Sequence, residues 1–459
     1  MNELKIIGQH AGTVLVGQLA VMAFGVSDTV IAGRYSDEAL AALSVGSAIY
    51  ISVFVALIGI VQALLPIWAE LQGGRQHAAL GRSLRQSLYL CACIAAVGIT
   101  ALLFPGPLLR WAQVPAVMQG EIHTYLAVLA AALVPSLLFR IYSSFNQALG
   151  RPLLVTWLQV AALLVKIPLS IWFVAGGAGL QPMGVAGCAW ATLVVNYGLL
   201  ALALTMLRTQ DLYQPYQLWV RMEAPNWREI REFARLGIPG GLSYLVEVTS
   251  FTLMAVFIAR LGTVASASHQ IAASVTSVLY MVPLSIAIAC SARVSFWIGA
   301  GHPLQAGRVA WIGFRLAALS ACACAATVLI ASHWLASLYS PNPAVVSLGA
   351  ALLTWVAFYH LADAIQAVSS FLLRCYRITL VPLVLYGALL WGIGLFGGYG
   401  LAYENWTGEG ATQSAVSFWT ASTAALALVA ICFSALLWRA VRKAGHEGMP
   451  RGQATRASG

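Results

Sequence analysis

An all-α, polytopic membrane fold of twelve transmembrane helices, arranged as two pseudo-symmetric six-helix lobes around a central cavity, is predicted by three features. They are a very low charge content, apolar runs that recur along the whole chain, and a repeat that relates its two halves. Only 9% of the 459 residues are charged, against about 25% in an ordinary soluble domain. Hydrophobic residues make up 60%, and the mean hydropathy is +0.82. The apolar runs each approach the roughly 20 residues needed to cross a bilayer.

Reading those runs between loop signals places spans at about 10–34, 44–70, 87–105, 121–146, 153–175, 184–207, 236–260, 268–298, 309–331, 344–373, 380–403 and 415–440. The net charge of +10 is a topology signal rather than a nucleic-acid footprint. Of the 25 Lys and Arg, 18 fall in loops and tails on one side. The other side holds Arg34, Arg110 and Arg260, and Arg140, Lys166, Arg293 and Arg315 lie within spans. By the positive-inside rule both termini are cytoplasmic, which requires an even number of spans. The first apolar run is too long for a cleavable signal peptide and opens a span.

The chain divides at its longest polar interruption. Residues 1–207 form an N-terminal lobe, 208–235 a cytoplasmic linker with the amphipathic stretch "RMEAPNWREIREFARLG", 236–440 a C-terminal lobe and 441–459 a basic cytoplasmic tail. The halves repeat in order. Gly81-Arg82 recurs as Gly307-Arg308 and Arg151 as Arg377 at an offset of 226, Pro115-Ala-Val as Pro343-Ala-Val at 228, and Trp190 as Trp419 at 229. Six spans per half make the repeats parallel, related by an axis along the membrane normal. Two such lobes form a transporter architecture, in which one rocks against the other. The three lysines, Lys5, Lys166 and Lys443, lie outside any phosphate-binding G-x-x-x-x-G-K-[ST] loop, so uphill transport would draw on an ion gradient. All eight cysteines sit in apolar segments, and the C-x-C pairs lack a His at ligand spacing, so they read as small apolar filler.

Asp28, Glu247 and Asp363 are the three acids well inside spans, and each costs about 2.5–3.5 kcal/mol on insertion scales. Glu247 lies 12 residues from Arg235 and Asp363 lies 11 from Arg374, so both sit roughly 16–18 Å from the inner surface. Tyr359 is four residues before Asp363 on the same face, and His360 three before. Two carboxylates and a phenol at one depth could coordinate a small cation such as Na⁺, or one carboxyl could carry a proton. In the first lobe Asp28, about 27 Å from the inner surface, is within reach of Lys166 at roughly 22 Å. This predicts a charge pair, with Lys166 turned to backbone carbonyls or water as the alternative.

The segments "VSDTVIAG", "GIPGGLSYLVEVTSF", "SVLYMVPLS" and "FYHLADAIQ" resemble the NorM branch of the MATE (multidrug and toxic compound extrusion) transporters, a likeness that runs over essentially all twelve spans. The resemblance implies a bacterial inner-membrane antiporter that exports cationic, amphipathic drugs or dyes in exchange for Na⁺ or H⁺, with no other cofactor. It assigns Glu247, Tyr359 and Asp363 to a cation site, puts Tyr280 in the same region, and makes Asp28 the acid that drives conformational change in the first lobe. Where the family offers an Asn and then an Asn or Asp, this chain has Lys166 and Ser170. A fixed ammonium beside Asp28 would stand in for the ion and leave coupling to the second lobe. Thr13 replaces the family's early proline in span one, so proline-dependent bending is not implied. Some of the plentiful aromatic residues should line the cavity, where cation–π contact with a desolvated drug is worth about 2 kcal/mol.

Two further readings compete. A lipid-linked oligosaccharide flippase of the wider superfamily predicts a basic cavity, for which Lys166, Arg293, Arg140 and Arg315 are the candidates. An intramembrane enzyme would need a reactive cluster, and His360 beside Asp363 is the only dyad-like pair. A monomer bound to the bilayer, without nucleic acid, is the expected state.

Overall fold

The computed structural model describes residues 3–111, 115–177, 179, 181–404 and 411–447. Twelve helices among them are long and apolar enough to cross a membrane. They are α1 (Glu3–Tyr35), α2 (Asp37–Gly73, broken at Ala63), α3 (His77–Leu103), α4 (Ala116–Ala148), α5 (Pro152–Ala175) and α6 (Val185–Thr209). The second set is α7 (Trp227–Ala259), α8 (Thr263–Gly299), α9 (Pro303–Tyr339), α10 (Pro343–Cys375), α11 (Leu380–Tyr403) and α12 (Ala415–Glu447). The chain is therefore a multi-pass, all-helical membrane protein. Every predicted span is a helix, and most extend beyond it. The charged stretch before span seven is part of α7 from Trp227 onward, so helix continues past the apolar core into the polar loop. The basic tail beyond Glu447, with Arg451 and Arg456, lies outside the described residues.

Packing divides the chain into two compact units. One comprises residues 16–72 and 76–245, the other 1–15, 73–75 and 246–459. Two helices change unit part-way, α1 after Leu15 and α7 after Leu245, and the last residue of α2, Gly73, also falls in the other unit.

In the first unit, small residues let helices approach. Gly237 and Gly241 form a G-x-x-x-G face on α7, and a Cβ at Gly241 would lie 2.4 Å from the Ala56 carbonyl oxygen of α2. With little hydrophobic drive between helices in lipid, such close backbone contact is the main source of association. The stretch after α6 is strapped to the same unit. Arg85 donates to both Glu223 carboxylate oxygens, at 2.9 and 2.5 Å, and to the Gln217 carbonyl at 2.7 Å. Tyr89 and Gln86 hold the carbonyls of Glu223 and Ala224. Arg85 is thus a clamp on this loop.

In the second unit α10 is the central helix, packed by α8, α9 and α12. The start of α1 belongs here through Glu3, which accepts from Arg293 at 2.6 and 3.0 Å and from Trp297 at 3.2 Å. Thr13 donates to the Gln9 carbonyl, a bond internal to α1, which is one continuous helix. The α11 span is α-helical at both ends and π-helical over Gly387–Phe396.

Candidate functional site

The structure places Asp28, Lys166 and Ser170 in one cluster and Glu247, Tyr359 and Asp363 in another, one in each unit. In the first, α5 turns Lys166 and Ser170, one helical turn apart, onto the same face toward α1. Lys166 Nζ donates to Asp28 Oδ1 at 2.6 Å and lies 3.4 Å from Ser170 Oγ. Ser170 Oγ donates to the same carboxylate oxygen at 3.2 Å. Phe24, one turn before Asp28, offers its ring face at 5.6 Å from the ammonium. Lys166 is 1% exposed and Asp28 7%. Two such charges are tolerated inside an apolar protein because each neutralises the other and Ser170 adds a hydrogen bond to the carboxylate. The predicted pair is therefore formed, with the ammonium seated on Asp28 Oδ1.

The second cluster has a different chemistry. Glu247 on α7 and Asp363 on α10 lie within electrostatic reach of one another, and Arg374, toward the end of α10, acts on Glu247. Asp363 is 2% exposed and accepts from the Gln366 amide at 2.9 Å, a neutral donor where Asp28 has a cation. Two like charges so placed repel, and a cation or a proton between them relieves the repulsion. Tyr359 stands one turn N-terminal to Asp363, and Phe251 one turn C-terminal to Glu247. Spans seven and ten run in opposite directions, so both rings lie to the same side of the acids. They meet edge-to-face with centroids 5.8 Å apart, and each packs against Trp419 of α12, at 5.7 Å from Tyr359 and 6.2 Å from Phe251. Tyr280 is half-buried on α8, which packs along α10.

Some participants were not singled out from sequence. Gln366 was visible, three residues after Asp363 and on its face. Phe251 stands at the same kind of spacing from Glu247. Trp419 and Tyr386 come from other helices, and no local pattern announces them. His360 is fully buried, and both its ring nitrogens are without a hydrogen-bond partner among the described residues. It therefore forms no dyad with Asp363. Of the four cations within spans, Lys166 and Arg293 are neutralised by Asp28 and Glu3, Arg315 is exposed, and Arg140 is half-buried and outside every ion pair found among the described residues.

Comparison with known proteins adds to this geometry. The MatE family model matches twice, over residues 14–172 and 239–399, with starts 225 residues apart and ends 227 apart. Those spacings coincide with the internal repeat. The chain is 37% identical over 434 residues to the probable multidrug resistance protein NorM of Aromatoleum aromaticum, covering 95% of this chain and 94% of that one. It is 30% identical over 459 residues to the multidrug resistance protein PmpM of Pseudomonas aeruginosa, covering 99% and 96%. Among solved structures, the eukaryotic MATE transporter AtDTX14 has the same fold, with a TM-score of 0.85, 20% identity and coverage of 97% and 99%.

Proposed function

Since this chain belongs to the MatE family, and is thus a membrane transporter rather than an enzyme, we propose that it is a multidrug efflux antiporter. It exports cationic, amphipathic organic compounds in exchange for Na⁺ or H⁺ by alternating access. It works as a monomer in the bacterial inner membrane with both termini cytoplasmic. The names of its relatives support drugs as cargo.

One observation carries the assignment of coupling. Asp28 is already neutralised by Lys166, whereas Glu247 and Asp363 lie within electrostatic reach of one another and Asp363 accepts from a neutral amide. The first cluster holds its own permanent cation and has no vacancy for a travelling one. The second can exchange a cation with the medium, so the driving ion is taken up there. The aromatic cluster of Phe251, Tyr359 and Trp419 stands one turn away, close enough for the ion's charge to act on those rings. A flippase for lipid-linked oligosaccharides would need several unpaired cations to meet a pyrophosphate; Lys166 and Arg293 are committed to internal acids and Arg315 is exposed, which leaves Arg140 alone among the four candidates.

The test is reconstitution in liposomes with a fluorescent cationic dye, imposing a Na⁺ gradient and a pH gradient separately. Movement under one of them, lost in Asp363→Asn and Glu247→Gln, supports the reading and names the ion. If folded, correctly inserted protein moves none of several dyes under either gradient, drug antiport is wrong.

A further inference from the structure

A ten-residue π-helical stretch is rare, since π-helix usually appears as single-turn bulges, and such departures concentrate at functional sites. In α11 it covers "GALLWGIGLF", Gly387–Phe396, with glycines at 387, 392 and 394. Its surroundings connect it to both acids of the second cluster. Tyr386, the residue immediately before the stretch, donates its hydroxyl to Gln366 Oε1. The amide of Gln366 in turn donates to Asp363 Oδ1 at 2.9 Å. All three side chains are buried, and the Tyr386 ring is held against Phe433 of α12 with centroids 5.4 Å apart. From within the stretch, Trp391 Nε1 donates to the carbonyl of Val246, the residue before Glu247, at 3.3 Å.

We propose that Gln366 and Tyr386 are positioning residues that transmit the charge state of Asp363 to the π-helical segment of α11, and that this segment is the element the ion site moves. The inference rests on the coupling role given to Asp363 above. The polarity of the chain carries it. Each donor points toward Asp363, from phenol to amide to carboxylate, and this is the arrangement a negative charge at Asp363 favours. When a cation or a proton neutralises Asp363, the charge that orients the Gln366 amide is gone. The anchor on Tyr386 then weakens at the point where α-helix passes into π-helix. Trp391 provides the second anchor, so that the segment is tied to α10 at one end and to α7 in its middle. A stretch with i→i+5 bonding and three glycines needs little energy to change its winding, and is thus suited to respond.

Hydrogen exchange of the purified full-length protein, read by mass spectrometry over peptides covering 387–396, tests this without transport. Asp363→Asn serves as a permanently neutral site at constant pH. The expected result is exchange across Gly387–Phe396 at least threefold faster in Asp363→Asn than in wild type. Tyr386→Phe, which keeps the ring on Phe433, should abolish that difference. Tyr403→Phe removes a hydroxyl from the far end of α11, where it binds the Phe257 carbonyl, and should leave the difference intact. In liposomes Tyr386→Phe should change the half-saturating concentration of the coupling ion by threefold or more, with the maximal rate within twofold of wild type. Equal exchange in wild type and Asp363→Asn, or a difference that survives Tyr386→Phe, overturns the proposal. If the exchange results hold while no gradient drives dye movement, the relay stands and the antiport reading falls.

Discussion

Replacing Lys166 with Met should destabilise the protein by about 3 kcal/mol, and replacing Asp28 with Asn should restore most of it. At the 2.6 Å separation of Nζ and Oδ1 the attraction is about 6 kcal/mol for an effective dielectric near 20. Each charge costs about 3 kcal/mol to hold at membrane depth. The intact pair thus contributes close to nothing net, and either charge alone is a liability of about 3 kcal/mol. Equilibrium unfolding in mixed detergent–SDS micelles, followed by tryptophan fluorescence, measures all four corners of the double-mutant cycle. The expected coupling between the two sites is about 3–6 kcal/mol, and the double variant should lie near wild type. The deficit of Lys166→Met should shrink as the pH is lowered, because a protonated Asp28 carries no charge to bury. Single variants within 1 kcal/mol of wild type, or additive effects, would refute the claim that the ammonium is what makes Asp28 tolerable.

Three further outcomes are expected. Asp363→Asn and Glu247→Gln should each reduce gradient-driven dye efflux in liposomes by tenfold or more while leaving the unfolding midpoint close to wild type, since each removes a charge that is only partly compensated. Gly241→Val should cost about 1–3 kcal/mol in the same unfolding assay, because its Cβ would lie 2.4 Å from the Ala56 carbonyl oxygen and the α2–α7 contact must open. The clamp on the loop after α6 should depend on pH. Hydrogen bonds from Arg85 hold the Glu223 carboxyl down at about 2, below the unfolded-state value near 4.5, so its contribution is complete above about 4.5 and is lost as the pH falls toward 2. Limited proteolysis of residues 217–226 should show this loosening in wild type, and Glu223→Gln should be loose throughout. A third of the Glu223 side chain is exposed, so solvent screening limits the effect on global stability to about 1 kcal/mol.

Much of this was legible in the sequence because membranes impose simple rules. The twelve spans follow from apolar length alone. The offset of 226 that links Gly81 to Gly307 has a structural counterpart, since both glycines lie in the first turns of their helices, α3 and α9, and both receive a close neighbour. A Cβ would lie 1.7 Å from the Tyr216 carbonyl at one and 2.9 Å from Val441 Cγ1 at the other. Trp190 and Trp419 show where such matching stops, one exposed on α6 and the other fully buried against Tyr359. The Asp28–Lys166 pair could be read from depth, because two charges at similar height on nearby helices have little choice of partner. The Glu3–Arg293 pair could not, since 290 residues separate them and Glu3 precedes the apolar run. The π-helical form of "GALLWGIGLF" was equally hidden, because its apolar composition suits any membrane helix.

The repeat also explains why one lobe would couple and the other would not. At the offset of 226, α5 corresponds to α11, and Lys166 falls on Gly392, within the π-helical stretch. In the first unit this helix sends an ammonium to the acid of α1. In the second, the equivalent helix has a glycine at that place and reaches α7 and α10 through neutral groups, Trp391 and Tyr386. An ammonium fixes the charge of its acid at any ion concentration, whereas a phenol, an amide and an indole leave the charge free to change and respond when it does. On the proposed reading, a lysine at this place on the helix ties an intramembrane acid into a structural pair. The reverse change, Lys166→Asn, should open a second ion dependence in dye efflux. That dependence should vanish again with Asp28→Asn; if Lys166→Asn shows the ion requirement of wild type, the ammonium is not what closes the first site.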